Sequence, residues 1–377
     1  MTHALSPDAG IRYREHLVEG ASQELMKRYG YQSSAYFTLQ AGAGRFGIEG
    51  VGFVAYAPVK TLLGRVNVVF ANPVCDDRGR RWLLQEFLNN VPGRAIFVGI
   101  DSGVAADLRA LGYAINEMGT EFSFRIPGFS VAGKSKKQLR HAANLGSRQN
   151  LTVVEQPAKD VDMIAARRIS ANWRLSKKVK QRELRLLTRP PQFDDEWGVR
   201  KFYCYQDGQL LGFVFFDPFF KDGKVIGYTA NVLRQDIEVS PSGLLDYIIL
   251  EAMKVFEAEG IEQLSLGISP VYNVQACAGD NTILRGICRL LYAAGNGFYA
   301  FKALSYHKSR YRAKETKWYL ATKDTPVLTV LWTILRGTGI LGRPPLAVSA
   351  SEHHPIPQIP VSVPMSQVTA EAHGVSK

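Results

Sequence analysis

Strand-like apolar runs alternate with helical spacing twice along this chain, and no other feature restricts its fold as tightly. In the first stretch, Ser34 to Gln40 and Phe46 to Ala57 alternate or run apolar around a Gly-rich turn, and Val66 to Ala71 and Ala95 to Ile100 add further strands. Between them, Arg80 to Asn90 and Ala105 to Leu111 have helical spacing. The second stretch repeats the logic, with strands at Lys201 to Tyr205, Leu210 to Asp217, Lys224 to Asn231 and Gln263 to Ile268. Its helix, from about Ser242 to Glu259, turns Leu245, Ile248, Ile249, Ala252, Met253 and Phe256 to one side. The pattern predicts an α/β (α+β) chain of two similar units in tandem. With 377 residues, 46% of them hydrophobic, each unit can bury a core of its own.

The formal charge of +12 points to an anionic partner: nucleic acid, an anionic membrane surface or a phosphorylated substrate. The four cysteines, Cys75, Cys204, Cys277 and Cys288, have neither a disulfide framework nor a metal spacing, so no metal and no cofactor is expected. No apolar run approaches the roughly 20 residues of a membrane span, and Met1 to Gly20 carries no secretory pattern, so a cytoplasmic protein is expected. The apolar stretch Val327 to Leu335, continued by Ile340 and Leu341, reads either as a terminal helix packed on its domain or as a peripheral contact (327–341) with the inner face of a membrane. Beyond Pro344 the composition predicts a disordered tail.

Cations gather in three places. Residues 298–312, FYAFKALSYHKSRYR, interleave aromatic anchors with Lys302, Lys308, Arg310 and Arg312, an arrangement suited to phosphates. Lys134, Lys136, Lys137, Arg140 and Arg148 form a basic strip near the junction of the two halves, which also reads as a solvated linker helix. A second basic helix is expected from Arg174 to Arg189, carrying Lys177, Lys178, Lys180, Arg182 and Arg185 against Glu183.

These segments resemble the soluble catalytic domain of bacterial phosphatidylglycerol lysyltransferases. Phe301-Lys302-Ala303-Leu304, His307 to Tyr311 and Tyr319-Leu320-Ala321 resemble the family's "FKGL…YKxKF…W…RYLA" signature, with Ala303 for its glycine and Arg310 for its second lysine. Leu266 to Val271 resembles its "LGMAPL" loop, Pro241 to Asp246 its "PxGxMD" helix start, and Asn72-Pro73-Val74 its "GDPVG"; the likeness covers roughly residues 12 to 342. The resemblance implies two tandem GNAT-like acyltransferase domains: 12–130, a basic linker helix 131–150, a catalytic 151–322, an apolar helix 323–343 and a tail 344–377.

It also implies an aminoacyl-tRNA-dependent transferase that moves an aminoacyl group to a phosphatidylglycerol-type hydroxyl. The family's "DLMR" motif appears here as Asn231-Val-Leu-Arg234, so the arginine carries over and the acid does not. Arg234 and Lys308 are expected to contact phosphate or the terminal adenosine, Asn231 to orient groups, and Asp246 to polarise the aminoacyl or acceptor group, or else to complement its helix dipole. Lys134, Lys137, Arg140, Lys177, Lys178, Arg182, Lys302 and Arg310 are the expected tRNA and phosphate contacts. Three alternatives stay open: a soluble amine, hydroxylamine or hydroxyl acceptor; acyl-CoA N-acyl transfer, for which only the Gln40 to Gly44 glycine cluster speaks; and a non-catalytic module binding RNA or anionic lipid.

Overall fold

The computed structural model describes residues 13–14, 17, 19–48, 50–177, 183–294 and 300–342. Its strands are β1 (Tyr13–Arg14), β2 (Gly44–Ile48), β3 (Gly52–Thr61), β4 (Gly64–Phe70), β5 (Val74–Cys75), β6 (Arg94–Ile100), β7 (Ala114–Arg125), β8 (Leu151–Glu155), β9 (Arg200–Gln206), β10 (Gln209–Lys221), β11 (Lys224–Gln235), β12 (Gln263–Pro270) and β13 (Lys314–Thr322). The helices are α1 (Glu19–Tyr29), α2 (Arg80–Asn90), α3 (Ser102–Ala110), α4 (Lys137–Ala143), α5 (Leu145–Gln149), α6 (Met163–Leu175), α7 (Leu244–Ala258), α8 (Thr282–Ala294), α9 (Phe301–Ser309) and α10 (Val327–Gly337). None of them is long and apolar enough to cross a membrane.

All the strands join one sheet, ordered β1-β2-β3-β4-β6-β13-β7-β12-β11-β10-β9-β8, with β5 beside β3. The expected α/β architecture of two tandem GNAT-like halves is the one observed, because the pairing repeats. In the first half β3–β4 is antiparallel, β4–β6 parallel and β6–β13 antiparallel. In the second, β10–β11 is antiparallel, β11–β12 parallel and β12–β7 antiparallel. Each half therefore lends its last strand to the other: β13 closes the first and β7 the second, and the two lent strands pair from Lys314 opposite Ser123 to Thr322 opposite Ala114.

Period-two alternation fills both faces of the sheet. In β10, Phe213 and Phe215 pack with Ile169 of α6, while Val214 and Phe216 pack with Ile248 and Phe256 of α7. In β6, Ala95 and Phe97 meet Phe87 of α2, while Ile96 and Val98 meet Met26 of α1 and Val330 of α10. Strands covered on both faces read as unbroken apolar runs, which is why these were legible as strands.

Two expected elements are not there. Ser34 to Gln40 is not a strand: Ala35–Leu39 forms a 3₁₀ turn, with the Thr38 hydroxyl donating to Ala35 O (2.6 Å) and Gln40 Nε2 to Phe37 O (2.9 Å). The glycine cluster after it leads into β2, not into a helix, so it offers no helix N-terminus to a pyrophosphate. Nor does a helix run from Arg174 to Arg189, since α6 ends at Leu175 and residues 183–189 form an irregular strap. Pro190 disfavours a helical Arg189, and the buried Asp217 draws the Arg189 guanidinium inward through two hydrogen bonds of 2.5 and 2.9 Å. The expected tail, 344–377, lies outside the described residues.

A chain ending at residue 130 would keep β6 and β7 but lose β13 from between them. Such a fragment is expected to be unfolded or aggregated, without the dispersed amide spectrum of a folded domain, because both strand edges are left open. The full chain should unfold in one cooperative transition on differential scanning calorimetry.

Candidate active site

The strands β11 and β12 are parallel only from Gly227 opposite Gln263 to Thr229 opposite Ser265, and then separate. The separation begins at an irregularity in β12 between Ser265 and Ile268, where Gly267 takes φ +74°. Only glycine adopts that conformation without strain, and a Cβ there would lie 3.6 Å from the Lys308 amine. The Lys308 ammonium thus occupies the opening, donating to Ile268 O at 2.9 Å. Burial pushes its pKa down from near 10.5 to about 7, with the Glu121 carboxylate acting in the opposite sense.

Glu121, on β7, is itself buried and accepts hydrogen bonds from Ser265 Oγ (2.6 Å) and Trp318 Nε1 (2.9 Å). Ser265 Oγ in turn accepts from Gly267 N–H at 3.0 Å, which ties the β12 irregularity to the carboxylate. Glu121, Ser265 and Trp318 line a cavity of about 170 Å³ whose other walls include Tyr31, Gln32 and Asp101 from the first half. Two carboxylates, amide and hydroxyl oxygens and aromatic rings make that cavity suited to a cationic amine.

Lys308 is held in place from behind. Asp246, in the first turn of α7, is 2% exposed and takes Tyr311 Oη at 2.8 Å, Arg310 Nη2 at 2.8 Å and His307 Nε2 at 2.9 Å. Burial alone would raise its pKa; the His307 hydrogen bond and charge, followed by Arg310, hold it below the usual carboxylate range instead. Lys308 lies between two of these clamped residues, so the carboxylate fixes the helix that aims the amine. The structure therefore gives Asp246 and Arg310 to each other.

On the separated part of β11, Asn231 Oδ1 accepts from Thr188 Oγ1 of the strap at 3.0 Å, while its Nδ2 is buried with no protein acceptor. Arg234 stacks over Trp173 at 4.0 Å, reaches Ser170 Oγ at 3.3 Å and pairs with Glu183 of the strap at 3.0 Å. Lys177 lies over the same indole at 4.2 Å, and burial, then Arg234, lowers its pKa. Arg140 folds back onto Val131 O and Gly133 O of the preceding loop, and Lys302 Nζ donates to Ala293 O at 2.8 Å. Lys134 and Lys137 are exposed, whereas Lys178 and Arg182 lie outside the described residues. Lys308 therefore sits in the β12 opening, Asn231 and Arg234 lie on β11 against the strap, Lys177 joins Arg234 at the Trp173 indole, and Lys134, Lys137 and Lys302 are exposed.

The first half has the same irregularity, with Gly99 at φ +72°, but no lysine in it. Gln32 Nε2 bonds Gly99 O (3.0 Å) and Asn72 Oδ1 (3.2 Å), and Asn72 Nδ2 bonds Asp101 (2.7 Å). Only the second opening carries a buried amine. Glu121, Ser265, Asp101 and Thr188 escaped the sequence reading; nothing local marks Glu121 out, since β7 also carries Glu117 and Arg125.

This is an acyltransferase-type fold with a polar opening between two splayed parallel strands. The chain belongs to the family described as phosphatidylglycerol lysyltransferase, C-terminal, whose model matches residues 23–322. It is 23% identical over 289 residues to the phosphatidylglycerol lysyltransferase of Bacillus subtilis, covering 74% of this chain and 32% of that one. It is also 29% identical over 119 residues to an uncharacterised protein of Corynebacterium glutamicum, covering 32% and 15%. The chain thus spans a third or less of the curated relatives it matches. Among solved structures, L-PGS of Bacillus licheniformis superposes with TM-score 0.71 at 18% identity (86% of this chain, 98% of that). The C-terminal domain of a putative lysylphosphatidylglycerol synthetase of Agrobacterium fabrum superposes with 0.67 at 20% (84% and 96%). At those identities the likeness establishes the fold.

Replacing Asp246 with Asn should lower stability by roughly 2–4 kcal/mol at neutral pH, since it leaves His307 and Arg310 without their buried counter-charge. Because the carboxyl pKa is depressed in the folded state, its contribution is present above about pH 4 and is lost as pH falls below it. Thermal melts from pH 7 to 3 should show the deficit of the variant shrinking at the acid end.

Proposed function

We propose that the protein is an aminoacyl-tRNA-dependent transferase that moves an aminoacyl group to a hydroxyl of a phosphatidylglycerol-type lipid. The observation that carries the reading is a lysine buried in the strand opening with its pKa near neutrality, beside a cavity lined by carboxylates. An acceptor hydroxyl attacks the ester carbonyl of the donor, a tetrahedral oxyanion forms, and the ribose oxygen leaves. The neutral Lys308 amine takes the proton from the attacking hydroxyl and returns it to the departing ribose oxygen. This replaces the carboxylate that Asn231 cannot supply. The unpartnered Asn231 Nδ2 is a donor for the carbonyl oxygen as it becomes negative.

The aminoacyl group itself is read as cationic. Glu121 and Asp101, with the Trp318 ring, supply the environment an ammonium needs and an uncharged side chain would not use. The family and the Bacillus subtilis relative support a lysyl group and a lipid acceptor. Arg234 meets the phosphates of the acceptor end, and exposed Lys134 and Lys137 extend the positive surface.

The test is transfer of radiolabel from lysyl-tRNA to phosphatidylglycerol by the purified chain, abolished by ribonuclease. Absence of transfer from any aminoacyl-tRNA to lipid or to a soluble cell extract would sink the reading. Because the base is the unprotonated amine, activity should rise with pH through about 7 and then level. Lys308→Met should lose transfer by roughly 100-fold or more yet melt at a higher temperature, since a buried amine without an ion pair is replaced by a thioether of similar length. The wild type should gain stability from pH 7 toward 10, where the unfolded chain binds the proton that the folded one releases, and the variant should lack that slope. Glu121→Gln should raise KM for lysyl-tRNA more than it lowers kcat.

A further inference from the structure

One end of the sheet presents apolar side chains to solvent from three separate elements. The β3–β4 hairpin lifts Leu62 and Leu63 at its tip, where Leu62 is 104% exposed, and Arg94 at the start of β6 donates to Leu63 O at 3.3 Å. β13 runs out at this same end, since Ala321 lies opposite Phe97 and Thr322 opposite Ala114. The chain then enters α10, which packs on β3 and β4 through Val330, Thr333 and Gly337. On its outer side α10 shows Leu328, 79% exposed, and Trp332 one turn further on. α8 starts at this end too, because Asn116 of β7 bonds Asn281 O at 2.9 Å, and it exposes Ile283 and Leu290 while burying Leu284. Leu284 and Val330 belong to one apolar cluster, so both helices cover the same face of the sheet.

We propose that the β3–β4 tip, α10 and α8 together form an interfacial docking face for an anionic phospholipid bilayer. The charge around the apolar tips selects that occupant. Lys60, Arg65 and Arg94 surround the hairpin, where no acid occurs between Pro58 and Val66, and Lys323 and Arg336 flank α10 against the single Asp324. A second copy would press those cations against the same cations. A bilayer accepts both, with leucines and the indole in the acyl boundary and the cations among the phosphates. Protruding tips that share no groove also suit a deformable surface better than a rigid one. For its role in the reaction the inference rests on the lipid-acceptor reading, since it would hold the enzyme where that acceptor lies; binding itself needs no turnover.

The full chain should co-sediment with phosphatidylglycerol vesicles and roughly tenfold more weakly with phosphatidylcholine vesicles, and binding should weaken as salt rises. The double variant Leu62→Asp, Leu328→Asp should lose roughly tenfold or more of the phosphatidylglycerol binding. It should keep the wild-type melting temperature and wild-type transfer to a short-chain, water-soluble phosphatidylglycerol. A double variant that binds vesicles like the wild type overturns the proposal. So does a wild type that ignores vesicles but runs as a dimer that the variant dissociates. If transfer fails with every acceptor while wild-type and variant vesicle binding differ as stated, the transferase reading falls and the docking face stands. Transfer to the soluble lipid without vesicle binding gives the reverse.

Discussion

The pairing of β13 with β7 is the constraint on which the rest of this molecule depends. Each of these strands closes the half it does not follow in the chain, so neither half has a complete sheet alone. Hydrogen bonding along the whole of β13 joins them into one continuous surface. The seam this creates is polar on one face, because Glu121, Ser265, Thr316 and Trp318 meet there around the cavity. The cavity exists only because two separate parts of the chain were brought edge to edge.

A second device ties the halves across that face. The strap from Glu183 to Trp197 is irregular because tertiary partners use up its polar groups. Leu186 N bonds Gln40 Oε1, Arg185 N bonds Thr338 O, and Arg189 sits in a buried cluster with Asp217 and Glu196. Burial still raises the Asp217 pKa against the pull of Arg189, so the cluster costs desolvation and yields position. What it positions is part of β11, since Thr188 and Glu183 are the partners of Asn231 and Arg234. The end of a segment expected to be a basic helix instead supplies partners to β11.

The two halves descend to different uses of one geometry. Both have a parallel pair that opens at a glycine of positive φ, Gly99 and Gly267. One opening is filled by the side-chain amides of Gln32 and Asn72, and the other by an amine carried on α9. Both openings are thus occupied by the chain's own side chains, neutral amides in one and an amine in the other, so symmetry of fold coexists with asymmetry of chemistry.

The sequence alone determined the α/β class, the tandem repeat, most of the longer strands, several helices and the family. Apolar runs and helical spacing are local, and α2 and most of α7 were legible for that reason. It also singled out Lys308, Asn231 and Arg234, through two motifs that each span only a few neighbouring residues. Only the tertiary structure decided what those residues face. Lys308 reads locally as one surface cation among several, and burial in the β12 opening is what lowers the pKa of its amine to about 7. Asp246 reads as a helix-start acid, and its three partners on and after α9 make it a clamp. The strap, the exchanged strands and the Glu121 cavity depend on contacts between residues far apart in the chain, where the free energy of burial and ion pairing outweighs local propensity.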